Sequence, residues 1–236
     1  TSRRDLIMDL ADALAQRGIR LMAYLPCHAP LDDRQALKAF RFVPPWKSRL
    51  DQALHFRNGG KDRLLAEITV DDRLSFHGTK WEEVIREYSA RWGRKVSGWW
   101  IDGVYHADQW FRHPDAPNFK SFAAALRAGN PDAILAFAQG PFPWVHSWFE
   151  KMDAEEDYYD GETNVAFAVD FRGDFAEKQQ AHTLNYLGTN WATGDTPRFR
   201  KEFVREYTRL VVDHRAVITW ETPITPDSLI PELYME

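Results

Sequence analysis

The sequence of 236 residues lacks the features that mark several large protein classes. It contains a single cysteine, Cys27, which excludes a fold stapled by internal disulfides. It has no run of about eighteen apolar residues and no signal-peptide pattern, so a soluble protein with no membrane partner is expected, of unassigned compartment. Basic residues are in the minority, with 30 Lys and Arg against 35 Asp and Glu and a net charge of −5. This balance argues against a nucleic-acid partner, which selects for a basic surface.

Aromatic residues are abundant instead, since ten Trp, eight Tyr and fifteen Phe make up 14% of the chain. A large aromatic core accounts for most of this excess, because aromatic side chains dominate the energetics of buried cores. The remainder is typical of a carbohydrate-binding cleft, where the flat apolar face of a pyranose ring stacks on an aromatic ring.

A unit of helix, glycine and strand recurs four times along the chain. In each copy apolar residues recur at helical spacing, a glycine or a short turn follows, and an apolar strand comes next. The predicted helices and strands cover residues 3–17 and 19–25, 79–92 and 96–101, 119–126 and 133–138, and 196–211 and 216–220. Capping boxes at Ser2 with Asp5 and at Thr79 with Glu82 predict where the first two helices begin. Residues 157–164 suggest a short strand with its loop, while residues 180–187 fit either a strand or a helix.

Helices that alternate with buried strands predict an α/β protein with a parallel sheet and right-handed crossovers. No glycine-rich phosphate loop follows any strand, which favours a (β/α)8 TIM-type barrel over an open nucleotide-binding sheet. About six strands are identified, whereas such a barrel has eight. We therefore predict one incomplete barrel domain over residues 1–236, with an insertion at 34–76 and two units that precede Thr1 or lie in the insertion. The strand edges that such a barrel exposes could recruit a second copy, so a homo-oligomer is a further expectation.

Polar or charged residues follow several predicted strands, at the rim where barrel enzymes hold their active sites. The clearest is Asp102, which ends the apolar strand of the segment G-W-W-I-D-G at residues 98–103. The backbone alone places a carboxylate there at the barrel mouth, and Gly103 permits a sharp turn and close approach of a ligand. The alternative is a structural role in which Asp102 caps the next turn.

Two glutamates, Glu162 and Glu221, also follow predicted strands. Glycoside hydrolysis uses two carboxyl groups, one as nucleophile or base and the other as an acid with a raised pKa. Either glutamate fits the second role. The alternatives are a solvated loop acid for Glu162, which lies in a local acidic run, and a salt bridge at the strand end for Glu221.

Two other chemistries are compatible with the residue types. His28, Asp102 and His106 could share a catalytic metal, although no pair of histidines has a diagnostic metal-ligand spacing. Cys27 beside His28 suggests a thiol nucleophile, but neighbouring residues of a strand point to opposite faces and no third group orients the pair. Neither pattern is strong, so no metal and no cofactor are expected.

Several segments, taken in order, resemble the α-L-fucosidase family of retaining glycoside hydrolases, family 29, and especially its uncharacterised bacterial relatives. These segments are R-D-L at 4–6, G-I-R-L-M-A-Y-L at 18–25, residues 81–89, G-W-W-I-D-G at 98–103, G-N-P-D at 129–132, G-E at 161–162, L-G at 187–188 with Trp191, and V-I-T-W at 217–220. The resemblance covers nearly the whole chain apart from the insertion. It implies that Asp102, the aspartate of the W-x-D-G motif, is the nucleophile. It also implies that a later glutamate is the acid/base, with Glu162 the first choice and Glu221 the second.

The resulting hypothesis is a retaining glycoside hydrolase, α-L-fucosidase-like by resemblance, whose substrate is a carbohydrate. The predicted sugar contacts lie in or just after predicted strands or in loops, and they are His28, Trp100, His106, Gln139, Trp191 and Trp220. The alternatives are a catalytically inactive carbohydrate-binding relative and a metal-dependent hydrolase.

Overall fold

The computed structural model of the chain describes residues 3–28, 33–42, 73–104, 110–138, 151–164, 167, 180–194 and 196–235. Most of the predicted insertion, residues 43–72, lies outside these ranges. The chain divides into two compact units, Thr1–Leu135 and Ala136–Glu236. The helices and strands in chain order are α1 (Leu6–Ala15), β1 (Leu21–Pro26), α2 (Arg34–Ala39), α3 (Ser75–Trp92), β2 (Val96–Asp102), α4 (Phe119–Leu126), β3 (Ile134–Phe137), β4 (His182–Tyr186), α5 (Lys201–Asp213) and β5 (Val217–Glu221), with short 3₁₀ helices at Gly93–Lys95 and Glu232–Tyr234.

The described residues confirm an α/β fold with parallel strand pairing. Each predicted helix–strand unit is present, as α1 with β1, α3 with β2, α4 with β3 and α5 with β5. Five strands are described, in one sheet of order β1-β2-β3 and a second that pairs β4 with β5, so a complete barrel is not shown. None of the helices within these ranges is both long and apolar enough to cross a bilayer. The single-domain organisation stays a prediction.

Strands β1 and β2 pair in parallel, and their register decides which side chains share a face. Tyr24 lies opposite Trp100, and Pro26 lies opposite Asp102. Because side chains alternate along a strand, the residues between these pairs point to the other face. That other face is buried, as Ala23, Trp99 and Ile101 show, whereas the side of Tyr24 faces outward.

Helix α1 begins at Asp5, which accepts a hydrogen bond from the backbone N–H of Met8 at 3.2 Å. Both oxygens of this carboxylate also accept from the indole N–H of Trp92 at the end of α3, at 3.0 and 3.2 Å. The predicted capping residue Ser2 lies outside the described residues, and the N-cap of the helix is Asp5. One carboxylate thus satisfies a free N–H at the helix start and ties α1 to α3.

Helix α3 begins four residues before the predicted cap at Thr79. Thr79 lies inside the helix, where its hydroxyl donates to the carbonyl of Ser75 at 2.9 Å, so the second predicted capping box is wrong. A hydroxyl that bonds back to the preceding turn is a known alternative to capping.

Helices α3 and α4 pack closely because of a serine and a glycine. The buried hydroxyl of Ser89 donates to the carbonyl of Leu126 at 2.6 Å and accepts from the N–H of Gly129 at 3.0 Å. A Cβ atom at Gly129 would lie 1.8 Å from the carbonyl oxygen of Ser89. Only glycine permits this approach of two backbones.

In the second unit, the segment 180–187 contains the strand β4 (His182–Tyr186), which pairs in parallel with β5. On the other side of β4, isolated parallel bridges join Tyr158 to Gln180 and Glu162 to Leu184. Helix α5 covers these strands with a small core whose buried members are Tyr159, Ala181, Tyr207, Val211 and Ala216. The strand reading of 180–187 is the correct one because both sides of β4 find parallel partners.

A buried histidine, His182, links the three neighbouring segments of the second unit. Its Nδ1 lies 2.9 Å from the carbonyl of Asp160, and its Nε2 lies 2.8 Å from the hydroxyl of Thr219. Burial lowers the pKa of His182 to about 4, so the ring is neutral at physiological pH. A neutral ring donates from Nδ1 to the carbonyl and accepts the Thr219 hydroxyl at Nε2.

Candidate active site

Asp102 is the last residue of β2 and lies at the carboxyl end of a parallel strand. The hydroxyl of Tyr24 donates to its Oδ2 at 2.5 Å. The Tyr24 ring stacks on Trp100 with 5.4 Å between ring centres and 14° between planes. The strand register explains the arrangement, because Tyr24 and Trp100 form the pair that precedes Pro26 and Asp102 on the same face. The first unit thus presents a carboxylate, a phenol and an indole together.

Cys27 and His28 lie next to Asp102, in the turn after β1. The N–H of Cys27 donates to the carbonyl of Asp102 at 2.7 Å, and its thiol donates to the carbonyl of Gly103 at 3.0 Å. The thiol sulfur is also 2.9 Å from His28 Nδ1. The expectation that these side chains point apart is wrong, because β1 ends at Pro26 and both residues belong to the turn. Burial raises the pKa of Cys27, and the nearby Asp102 carboxylate raises it further.

The imidazole of His28 is enclosed, with a relative exposure of 4% for the residue. It stacks on Phe42 and meets Trp110 edge-on, with ring centres 5.5 and 5.9 Å away. A Cβ at Gly103 would lie 2.8 Å from the His28 ring, and the positive φ of 79° also favours glycine there. His28 therefore supports the turn that carries Asp102, while its contact with a sugar stays a prediction.

Glu221 ends β5 and lies opposite Tyr186 of β4. Its Oε1 accepts a hydrogen bond from the N–H of Ala192 at 2.9 Å. Its Oε2 is buried and has no hydrogen-bond partner among the residues that the structure describes. Burial raises the pKa of this carboxyl, and the Ala192 N–H lowers it by a smaller amount. A carboxyl with a raised pKa holds its proton to a higher pH than an ordinary glutamate, as a general acid requires.

A group of aromatic and polar side chains lies next to Glu221. Trp191 packs against Tyr186 with 4.7 Å between ring centres, and its indole N–H donates to Asn164 at 2.9 Å. The guanidinium of Arg198 lies 4.2 Å from the centre of the Tyr186 ring and donates to Asn185 at 3.0 Å. Tyr186 and Arg198 are not identified by sequence analysis, because neither belongs to a motif and Arg198 reaches Tyr186 from a loop before α5.

Glu162 lies at a different level of the same sheet. It bridges to Leu184, which in turn lies opposite Thr219, two residues before Glu221. Two strand spacings and two residues separate the backbones of the glutamates, about 10 Å across and about 7 Å along the strands. The two glutamates remain alternative candidates for the acid/base.

The other predicted residues have varied surroundings. Trp220 packs against the small core of the second unit, and its indole N–H donates to Thr208 of α5 at 2.9 Å. His106 and Gln139 lie outside the described residues. Within the described ranges, no group of three or more His, Cys, Asp and Glu side chains could hold a metal ion. The structure thus places Asp102, Trp100 and His28 in the first unit, and Glu162, Trp191, Trp220 and Glu221 in the second.

Comparison with known proteins finds a likeness in structure and none in sequence. No model of a known protein family matches the chain, and no curated protein sequence matches it. An endo-fucoidan hydrolase from glycoside hydrolase family 107 is similar over 94% of this chain and 37% of its own, with a TM-score of 0.64 and 18% identity. A second family 107 endo-fucoidan hydrolase is similar over 98% of this chain and 67% of its own, with a TM-score of 0.58 and 13% identity.

An α-L-fucosidase of Lactobacillus casei, solved with its fucose product, is similar over 97% of this chain and 61% of its own, with a TM-score of 0.61 and 12% identity. At such identities the likeness establishes the fold. The chain spans about two fifths of the length of three family 107 structures that it resembles, which are covered over 36%, 37% and 43%. The fold is therefore that of fucose-acting glycoside hydrolases in general, and the resemblance to family 29 in particular is not shown.

Proposed function

We propose that the protein is a retaining glycoside hydrolase that acts on fucose-containing carbohydrates, with Asp102 as its nucleophile. The observation that carries this proposal is the Asp102 carboxylate at the carboxyl end of β2, held by the Tyr24 hydroxyl beside the Trp100 ring. Parallel α/β folds gather their catalytic groups at that end of the strands. The likeness to fucose-acting hydrolases supports the choice of substrate.

Glu221 is the better candidate for the acid/base, although the sequence alone favours Glu162. A general acid must hold its proton until the leaving oxygen arrives, which requires a raised pKa and an oxygen that no other group occupies. Glu221 meets both requirements, through burial and through its unpartnered Oε2. Its surroundings also suit a sugar, because Trp191 offers an aromatic face next to it.

In this mechanism the reaction has two halves. Asp102 forms a C–O bond to the anomeric carbon while the glycosidic bond breaks, and the leaving oxygen takes the proton of Glu221. Water then attacks the same carbon and gives its proton to Glu221, while the bond to Asp102 breaks and its electron pair returns to the carboxylate. Two inversions at one carbon give net retention of configuration.

The first test is hydrolysis of 4-nitrophenyl α-L-fucoside and of fucose-rich polysaccharide by the wild-type chain and by Asp102→Asn. We expect the variant to lose at least about a thousandfold in kcat, because the nucleophile is gone. Asp132→Asn is the matched control, since Asp132 is exposed and pairs with Arg94 at a distance of 2.6 Å. Azide should rescue Asp102→Gly and give a fucosyl azide of inverted configuration. Full activity in Asp102→Asn would refute the proposal.

The role of Glu221 has a separate signature. Glu221→Gln should lose more activity on a substrate with a poor leaving group than on the nitrophenyl substrate, because nitrophenolate departs without a proton. Glu162→Gln should show no such difference. The opposite pattern would assign the acid to Glu162.

A carbohydrate-binding protein without catalysis is the second candidate, and the exposed Tyr24 ring on Trp100 favours it equally, because such a ring can stack on a sugar. Calorimetric binding of fucose oligosaccharides without turnover, unaffected by Glu221→Gln, would support this alternative.

A further inference from the structure

We propose that Tyr24 is a positioning residue for Asp102, and that its hydroxyl acts chiefly in the second half of the reaction, when the sugar leaves the carboxylate. The inference rests on the proposed function, because it concerns the same carboxylate. The sequence gives no sign of it, since 78 positions separate Tyr24 from Asp102.

Two constraints orient the Tyr24 hydroxyl toward Asp102. The strand register places the residue one pair before Asp102 on the same face, and the stack on Trp100 limits the swing of the ring. The hydroxyl then donates to Asp102 Oδ2 at 2.5 Å. The side chain contributes little to the core, because Tyr24 is 60% exposed. An outward tyrosine in contact with an anionic oxygen is better explained by its hydroxyl than by packing.

The chemistry distinguishes the two halves of the reaction. In the first half Asp102 loses its negative charge as it bonds to the anomeric carbon, so the phenol hydrogen bond weakens. In the second half the C–O bond to the sugar breaks and the electron pair returns to Asp102, so the same hydrogen bond strengthens as the charge develops. An interaction that is stronger in a transition state than in the state before it accelerates that step. Tyr24 therefore favours release of the sugar over formation of the covalent intermediate.

The test is Tyr24→Phe, which keeps the ring on Trp100 and removes only the hydroxyl. With 4-nitrophenyl α-L-fucoside we expect kcat to fall about tenfold, the lower range for a hydrogen bond to a charged group at an exposed position. KM should fall in parallel, because the covalent intermediate accumulates, and kcat/KM should change little. Rapid mixing should then show a burst of nitrophenolate close to one equivalent per active site.

Tyr88→Phe is the matched control. Tyr88 is a second exposed tyrosine, 41% accessible, that packs against a tryptophan, Trp92, with ring centres 5.1 Å apart and 35° between planes. Tyr88→Phe should have the kinetics of the wild type, and its melting temperature should equal that of Tyr24→Phe. A loss of kcat/KM without a burst, or kinetics equal to those of the wild type, would overturn the positioning role.

The proposed function is tested by a different variant, Asp102→Asn. Wild-type turnover that Asp102→Asn abolishes supports the function whatever Tyr24→Phe does, so a negative result for Tyr24 then refutes the positioning role alone. Absence of turnover in the wild type would overturn the function and this inference together.

Discussion

Replacement of Glu156 by glutamine should change how the stability of the second unit depends on pH. Glu156 is buried, at 2% relative exposure. Its Oε1 accepts from the N–H of Phe137 at 2.6 Å, and its Oε2 accepts from the N–H groups of Met152 and Asp153 at 2.5 and 3.1 Å. Burial raises the pKa of this carboxyl to about 8, more than the three N–H donors lower it, and the nearby Asp160 adds to the rise.

The sign follows from proton binding in the two states. The unfolded carboxyl has a pKa near 4.5 and the folded one near 8, so between these values the folded state holds a proton that the unfolded state has lost. The contribution of Glu156 to the free energy of unfolding is therefore complete below about pH 4.5 and is lost as the pH rises through 8. At about 1.4 kcal/mol per pH unit, the full difference has an upper limit of roughly 5 kcal/mol.

Urea denaturation of wild type and Glu156→Gln between pH 5 and pH 8.5 measures this difference. We expect the free energy of unfolding of the wild type, measured relative to that of the variant, to fall by a few kcal/mol between pH 5 and pH 8.5. Glu206→Gln removes the same charge from an exposed position on α5 and should keep the wild-type slope. A wild-type advantage that grows with pH would refute the reasoning, since it would show that the three N–H donors outweigh burial.

Two further outcomes follow from local geometry. Gly129→Ala should lower the free energy of unfolding by about 3 kcal/mol, because its Cβ would collide with the carbonyl of Ser89. Gly18→Ala, where there is open space but a φ of 69°, should lower it by only about 1 kcal/mol. Equal melting temperatures for the two variants would contradict this prediction. Cys27 should resist iodoacetamide in the native protein at pH 8 and react in denaturant, because it is buried and its pKa is raised. Mass spectrometry measures the alkylated fraction, and rapid alkylation of the native protein would contradict this prediction.

The helix and strand pattern was accessible from the sequence because it depends on local periodicity. The third predicted helix matches α4 at both ends, residues 119–126, since Asn118 and Ser121 form a reciprocal cap there. The start of α3 was not accessible, because Thr79 in the helix interior has the same local sequence context as a capping threonine. The side chain of Thr79 bonds to the preceding turn, which only the folded backbone supplies.

The candidate site was accessible only in part, for a related reason. Asp102 stands out because one strand, its end and the next glycine are all local features. Tyr24 and Arg198 were missed because their contacts depend on the register between strands or on loops that return from elsewhere in the chain. The contact of Cys27 with His28 was missed because the alternation of side chains along a strand was applied to two residues that lie in the turn after β1.

The carboxylate of Asp5 has a consequence for the order in which the chain folds. It caps α1 and receives the indole N–H of Trp92, which lies 87 positions later in the sequence. A helix of ten residues is too short to be stable alone in water. The local cap is available to α1 from the start, but the tertiary hydrogen bond from Trp92 forms only after the end of α3 is in place. During synthesis on a ribosome, α1 would leave the exit tunnel well before Trp92, so this contact could form only once the end of α3 has been synthesised.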